Sequence, residues 1–186
     1  MSAPSTITTE PPMFTNPLLR LAAAAYGLAI KIGTWLQSVF LLIVRLYWGW
    51  QFFITGKGKL GSIDKVTGFF QSIGIPFPHL NAYLAGCTEC FGGLLLLIGL
   101  GSRVTTLPLI FTMIIAYLTA SPDAVHHLFA GDPDDFFKDD AFLFFYAAVI
   151  VFVSGPGLFS ADGLIGFLLK KRAAAAAVPV TANSAA

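Results

Sequence analysis

Charge is what this chain has least of. Of 186 residues only 11 are Lys or Arg and 10 are Asp or Glu, a charged fraction of 11%, against roughly 25% in an ordinary soluble domain. With 56% hydrophobic residues and a mean hydropathy of +0.77, so short a chain has too little polar surface to cover itself in water. That excludes a water-soluble globule and implies an integral membrane protein with a single helical domain. The net charge of +1, with Lys170-Lys171-Arg172 as the basic tract that stands out, gives no footing for nucleic acid as a partner. Cysteine is nearly absent. The two present, Cys87 and Cys90, exclude a disulfide framework and leave three readings: a local redox pair, part of a metal site, or two inert small residues. Also missing are a nucleotide-cradling loop, a nucleophile triad and a haem-attachment motif. The start, Met1 to Pro17, is polar and rich in Pro and Thr, without the basic n-region of a secretory signal.

What is present is a series of apolar runs. Residues 1–17 and the Ala-rich tail 173–186 read as disordered, and 18–172 as the membrane domain. Leu18 to Gln37 reads as helical, either lying in the interface or running straight into the first span. Spans are expected at about 38–55, 81–100, 104–120 and 141–154, each near or somewhat below the ~20 residues that cross a bilayer. Gly56-Lys57-Gly58-Lys59-Leu60-Gly61 reads as a helix break. Ile63, Val66, Phe69, Phe70 and Ile73 then recur at helical spacing with Asp64, Lys65 and Gln71 between them, which predicts an interfacial amphipathic helix. Gly74, Pro76 and Pro78 end it. Ser121 to Asp140 is polar and acidic and reads as a solvated loop. After Gly155-Pro156-Gly157, Ser160-Ala161-Asp162 is placed to cap a last amphipathic helix ending at Lys170-Lys171-Arg172. The fold expected is an all-α membrane protein, a bundle of four transmembrane helices with interfacial helices. The excess of Arg and Lys on one face puts both termini in the cytoplasm.

Arg45-Leu46 followed by Gly49, Phe53, Gly56 and Lys59-Leu60 is similar to the first-helix signature of the DoxX family. Gly74-Ile75-Pro76, Ala82-Tyr83-Leu84 and Glu89 leading into Gly92-Gly93-Leu94-Leu95 resemble its second helix, with Arg103 at the basic turn. Gly155-Pro156-Gly157, Ser160 and Asp162 resemble its closing motif. The resemblance covers roughly Phe40 to Gly166. It implies a small bacterial inner-membrane protein with a four-helix bundle, similar to the small membrane subunit of thiosulfate:quinone oxidoreductase and to members associated with redox homeostasis. The cysteines around Glu89 and the heavy acidic cluster near Lys138 depart from the family pattern.

Four constellations carry chemistry. Glu89 lies inside an apolar run, where an ionisable residue is costly and marks a functional site. Arg45, within about 5 Å of it along the bundle axis by helical rise, is the expected partner, either as a register-fixing ion pair or as the polar floor of a quinone or small-anion pocket with Glu89 as proton acceptor. Cys87 and Cys90 either cycle between dithiol and disulfide against a quinone or pack as inert small residues. Lys57 and Lys59 are either snorkelling interfacial lysines or a cationic mouth for an anion. Asp140, drawn inward, could close that mouth against Lys57, Lys59 or Lys138. Asp123 with His126 or His127 has metal-ligand spacing, but in a short segment read as loop, so no metal site is assigned. The functional expectation is a redox component linking a sulfur or thiol donor, or a soluble or membrane partner enzyme, to the quinone pool. The alternative is a non-enzymatic assembly, integrity or lipid-binding factor. The bilayer is the expected partner in both cases, with a homo-oligomer open through the Gly92-Gly93 face.

Overall fold

The structure, a computed structural model, describes residues 17–176, and among them every regular element is a helix. In chain order these are α1 (Pro17–Gly61), α2 (Ile63–Ser72), α3 (Pro78–Ile98), α4 (Ser102–Ala120), α5 (Pro122–Ala130), α6 (Asp134–Lys138), α7 (Asp140–Ser154) and α8 (Ala161–Ala176). The expected disorder of the two ends falls mostly outside the described residues, although α8 runs four residues into the stretch read as tail. The chain divides into two units after Gln37. In the first, the described part of α1 exposes Leu18, Leu21, Tyr26, Leu28 and Trp35.

The second unit, from Ser38, holds the packed helices. Among the described residues three helices, α1, α3 and α4, are long and apolar enough to cross a membrane, while α7 is a shorter apolar helix. Its 15 residues rise about 22 Å, short of a hydrocarbon core of about 30 Å. The protein is thus an all-α membrane protein, as expected, with three full-length candidate spans and one shorter apolar helix among the described residues. The core is formed by Val44 and Phe52 of α1, Leu96 of α3, Leu109 and Met113 of α4, and Ala147, Ala148 and Val151 of α7. Small residues on α7 let α4 pack against it closely. Phe144 fits edge-on against Trp48 and Phe52, with ring centroids 5.1 Å and 4.8 Å apart.

Close packing of α1 on α3 rests on glycine. A Cβ at Gly49 would stand 2.8 Å from the Leu97 amide nitrogen, one at Gly93 would stand 2.5 Å from that of Phe53, and one at Gly56 would overlap the Cys90 amide. This corrects the expected helix break. Gly56 lies inside α1 because only glycine fits against α3 there, and α1 continues to Gly61. The segment read as a solvated loop is a second correction. Pro122 and Gly131 bracket α5, and α6 follows. Tyr117 Oη donates to the Phe136 carbonyl at 2.9 Å, fastening α6 beneath the end of α4.

At the opposite end, Asp162 clamps the turn between α3 and α4. Its two carboxylate oxygens accept from the Gly101 and Ser102 amides at 2.7 Å and 3.0 Å, and its own amide donates to the Gly99 carbonyl at 3.1 Å. Orphan amides at the start of α4 are thereby satisfied by another helix. Ser160 caps α8 itself, its Oγ accepting from the Gly163 amide at 2.9 Å.

Candidate functional site

The register of α1 on α3 decides which cation meets Glu89. Gly49 faces Gly93 and Leu97, and Gly56 faces Glu89 and Cys90, so the helices run antiparallel and one turn past Gly56 brings Lys59 beside the carboxylate. Lys59 Nζ donates to Glu89 Oε1; the Glu89 side chain is 1% exposed and that of Lys59 33%. A buried carboxylate in apolar surroundings needs such a partner, since removing one member of a buried pair costs about 3–5 kcal/mol.

Arg45 is not that partner. It stands fourteen residues before Lys59 on the same helix (59 − 45), about 21 Å of helical rise, at the other end of the packed unit. There Nη2 donates to the Phe159 carbonyl, and the side chain is fully buried beside Gly99 and within electrostatic reach of Asp162. Gly99 holds a left-handed conformation, φ +73, and its missing side chain leaves room for the guanidinium. Arg45 therefore joins the start of α8 to the end of α3. The expected Arg45–Glu89 bridge fails because α1 runs six residues past Thr55, the expected end of the first span.

A cavity of about 840 Å³ opens on Lys59 and Glu89. Its walls are Val66, Phe69 and Phe70 of α2, Leu84 of α3, and Phe111 and Ile115 of α4. The amphipathic pattern of α2 explains its position, because the same apolar face that would lie on lipid turns toward α3 and α4. Asn81, Thr88, Thr112 and Thr119 add scattered polar groups, and Lys65 stands on the α2 side. Chemically this is a long apolar space with one ion pair in its wall.

The other candidate residues lie elsewhere. Cys87 and Cys90 are free and half-buried, and neither lines the cavity, whereas Thr88 and Glu89 between them do. Each step along a helix turns about 100°, which carries the two thiols off the cavity face. Cys90 packs its backbone against Gly56 instead. Lys57 is exposed, and neither it nor Asp140 lines the cavity; Asp140 is exposed in the first turn of α7. Asp140 therefore does not close the mouth of the cavity, and its neighbour turns inward as a helix cap instead. Asp139 caps α7, accepting from the Ala141 amide at 2.8 Å and from Ser121 Oγ. On the outer helices His127 Nδ1 lies 2.8 Å from Asp135, and Lys138 bonds Asp134 at 3.1 Å, which raises the lysine pKa. Among the described residues no group of three or more His, Cys, Asp or Glu could hold a metal. Sequence reasoning missed the cavity itself. Its signal was the stripe Val66, Phe69, Phe70 and Ile73, which faces protein as well as lipid.

The DoxX family model matches residues 40–122. The chain is also 33% identical over 78 residues to the Bacillus subtilis (strain 168) protein named "Putative oxidoreductase CatD", covering 42% of this chain and 57% of that protein. The match thus spans less than two thirds of the relative's length. No solved structure matches the chain. The matched stretch takes in Arg45, Lys59, Glu89 and the whole of the cavity wall, and ends before Gly155-Pro156-Gly157 and Asp162. Over residues 40–122 the chain is thus similar to the DoxX family, and the Bacillus subtilis relative is similar to this chain over a stretch of comparable length.

Proposed function

We propose that this membrane protein is a redox component that links a small sulfur or thiol donor, or a partner enzyme, to the quinone pool. The head of the quinone would meet the Lys59–Glu89 pair, and its tail would lie along Phe69, Phe70, Phe111 and Ile115. The observation that carries this reading is an ion pair on a buried carboxylate in the wall of a mostly apolar cavity of about 840 Å³. Small-ligand sites have this character: mostly apolar, with a few placed polar groups that fix orientation. The printed name of the CatD relative supports an oxidoreductase. Four spans, a bacterial inner-membrane location and cytoplasmic termini complete the proposal, the orientation following from the basic residues Arg20, Lys31, Arg103 and Lys170 to Arg172 on one face.

The test is anaerobic quinone reduction by purified protein in nanodiscs, with thiosulfate or a dithiol as donor, followed by absorbance. Turnover that falls in Glu89→Gln supports the reading. Folded protein that reduces no quinone with either donor, and carries none through purification, sinks it.

One observation favours a second reading, a non-enzymatic lipid-binding or membrane-integrity factor: neither thiol lines the cavity. Mass spectrometry of what co-purifies separates the two, because a phospholipid in place of a quinone favours the second.

A further inference from the structure

Glu89 has two carboxylate oxygens, and the protein uses one. Oε1 takes the Lys59 ammonium, while Oε2, shielded from solvent, has no hydrogen-bond partner among the described residues. An ionised carboxylate accepts and never donates, and a buried acceptor left without a donor carries its full desolvation cost. The neighbouring polar groups do not supply that donor. Asn81 Nδ2 donates to the Pro76 carbonyl at 2.6 Å, Thr112 Oγ1 to the Pro108 carbonyl at 2.9 Å, and Thr119 Oγ1 to the Ile115 carbonyl at 2.7 Å. Each of these three donates to backbone, and neither Thr88 nor Lys65, which also line the cavity, bonds Oε2. The cavity wall, which Glu89 and Lys59 line, therefore holds a buried acceptor in need of a donor, beside an ammonium with N–H groups to spare.

The geometry points to a ligand whose head donates a hydrogen bond to Glu89 Oε2: within the quinone reading on which this inference rests, the hydroquinone in preference to the quinone. A hydroquinone hydroxyl can donate to Oε2 while its oxygen accepts from Lys59. A quinone carbonyl can accept from Lys59 but sets acceptor against acceptor at Oε2, leaving the buried oxygen unmatched. The aromatic head and apolar tail are the same in both forms, so the cavity walls do not discriminate and the preference rests on one O–H. Such a site binds the reduced carrier more tightly than the oxidised one. The chemistry that fills it is the hydroxyl, and an acceptor-only head of the same shape is disfavoured.

The experiment is anaerobic equilibrium dialysis of wild-type protein in nanodiscs against three ligands of matched shape, with empty nanodiscs subtracted. These are a decyl-substituted benzoquinone, its hydroquinone, and the dimethyl ether of that hydroquinone. The expected result is hydroquinone binding about tenfold or more tighter than the other two, the ratio that one charge-assisted hydrogen bond supplies. Because the donor is deleted on the ligand, the comparison does not depend on a variant that folds. Glu89→Gln, whose amide can itself donate, is expected to bring the quinone level with or ahead of the hydroquinone. If all three bind wild type equally, or the quinone binds tightest, the donor inference is overturned while the quinone reading stands. If none binds above empty nanodiscs, the quinone reading itself falls, and this inference with it.

Discussion

Replacing Lys59 by Met tests whether the ion pair is the element that makes the carboxylate of α3 tolerable. Met keeps most of the lysine stem and removes the ammonium, so the packing against α3 is retained and the charge is not. Glu89 is 1% exposed at its side chain and Lys59 33%, which sets the expectation between two regimes. Exposed pairs contribute about 0–1 kcal/mol, whereas stranding one member of a buried pair costs about 3–5 kcal/mol. Because Glu89 is the buried partner and is the one left behind, the cost falls near the lower end of the second range, about 3 kcal/mol. Lys59→Met combined with Glu89→Met removes both charges from the apolar wall and should recover most of that loss, since an isosteric apolar pair is often neutral or better. The assay is unfolding by SDS titration in micelles, run on wild type, both single variants and the double. A coupling of about 2 kcal/mol or more between the two positions is expected, little altered by salt, because burial limits screening. Additive effects, or a Lys59→Met loss under about 1 kcal/mol, would refute the argument.

The glycines of α1 offer a matched pair. Gly56→Ala drives a methyl into the Cys90 backbone and should cost about 1–3 kcal/mol in the same titration. Gly58→Ala meets open space and should be neutral or stabilising by up to about 1 kcal/mol. Replacing Cys87 and Cys90 together by Ser should leave ligand affinity in the cavity within about twofold, since neither lines it; a larger loss in the dialysis experiment would contradict the placement of the thiols. Asp162→Ala removes the cap of α4 from outside and should cost about 0.5–2 kcal/mol, read as lower thermal stability with cavity binding unchanged.

The sequence carried the elements better than their register. The amphipathic period of α2, its stop at Gly74 and the cap at Ser160 were all readable, because each depends on neighbours within one or two turns. The identity of the partner of Glu89 was not. In a soluble helix, Gly56-Lys57-Gly58-Lys59 would be a break; between membrane helices, glycine is the residue that permits contact. Six residues of extra helix moved the expected charge pair from Arg45 to Lys59. The acidic stretch before α7 misled for a different reason. Its charges suggested solvent, yet Pro122, Gly131 and Asp139 are helix punctuation, which outweighs polarity in deciding local conformation. Asp139 and Asp140 both border the same span, and one residue of helical rotation separates a cap from an exposed side chain.

The Asp162 clamp also bears on how the protein is made. The hairpin of α3 and α4, complete at Ala120, is synthesised and ready to enter the membrane about forty residues before the carboxylate that satisfies its turn exists; Asp162 bonds Gly101 and Ser102 across sequence separations of 61 and 60. Until then the first amides of α4 have only water or lipid headgroups to meet. The hairpin must therefore hold its turn near an aqueous face while the rest of the chain is translated, and the arrival of α8 converts a solvated turn into a closed one. The final helix is in this sense a completion step for an earlier part of the fold, and a chain stopped before it would insert its spans yet leave this end of the bundle open.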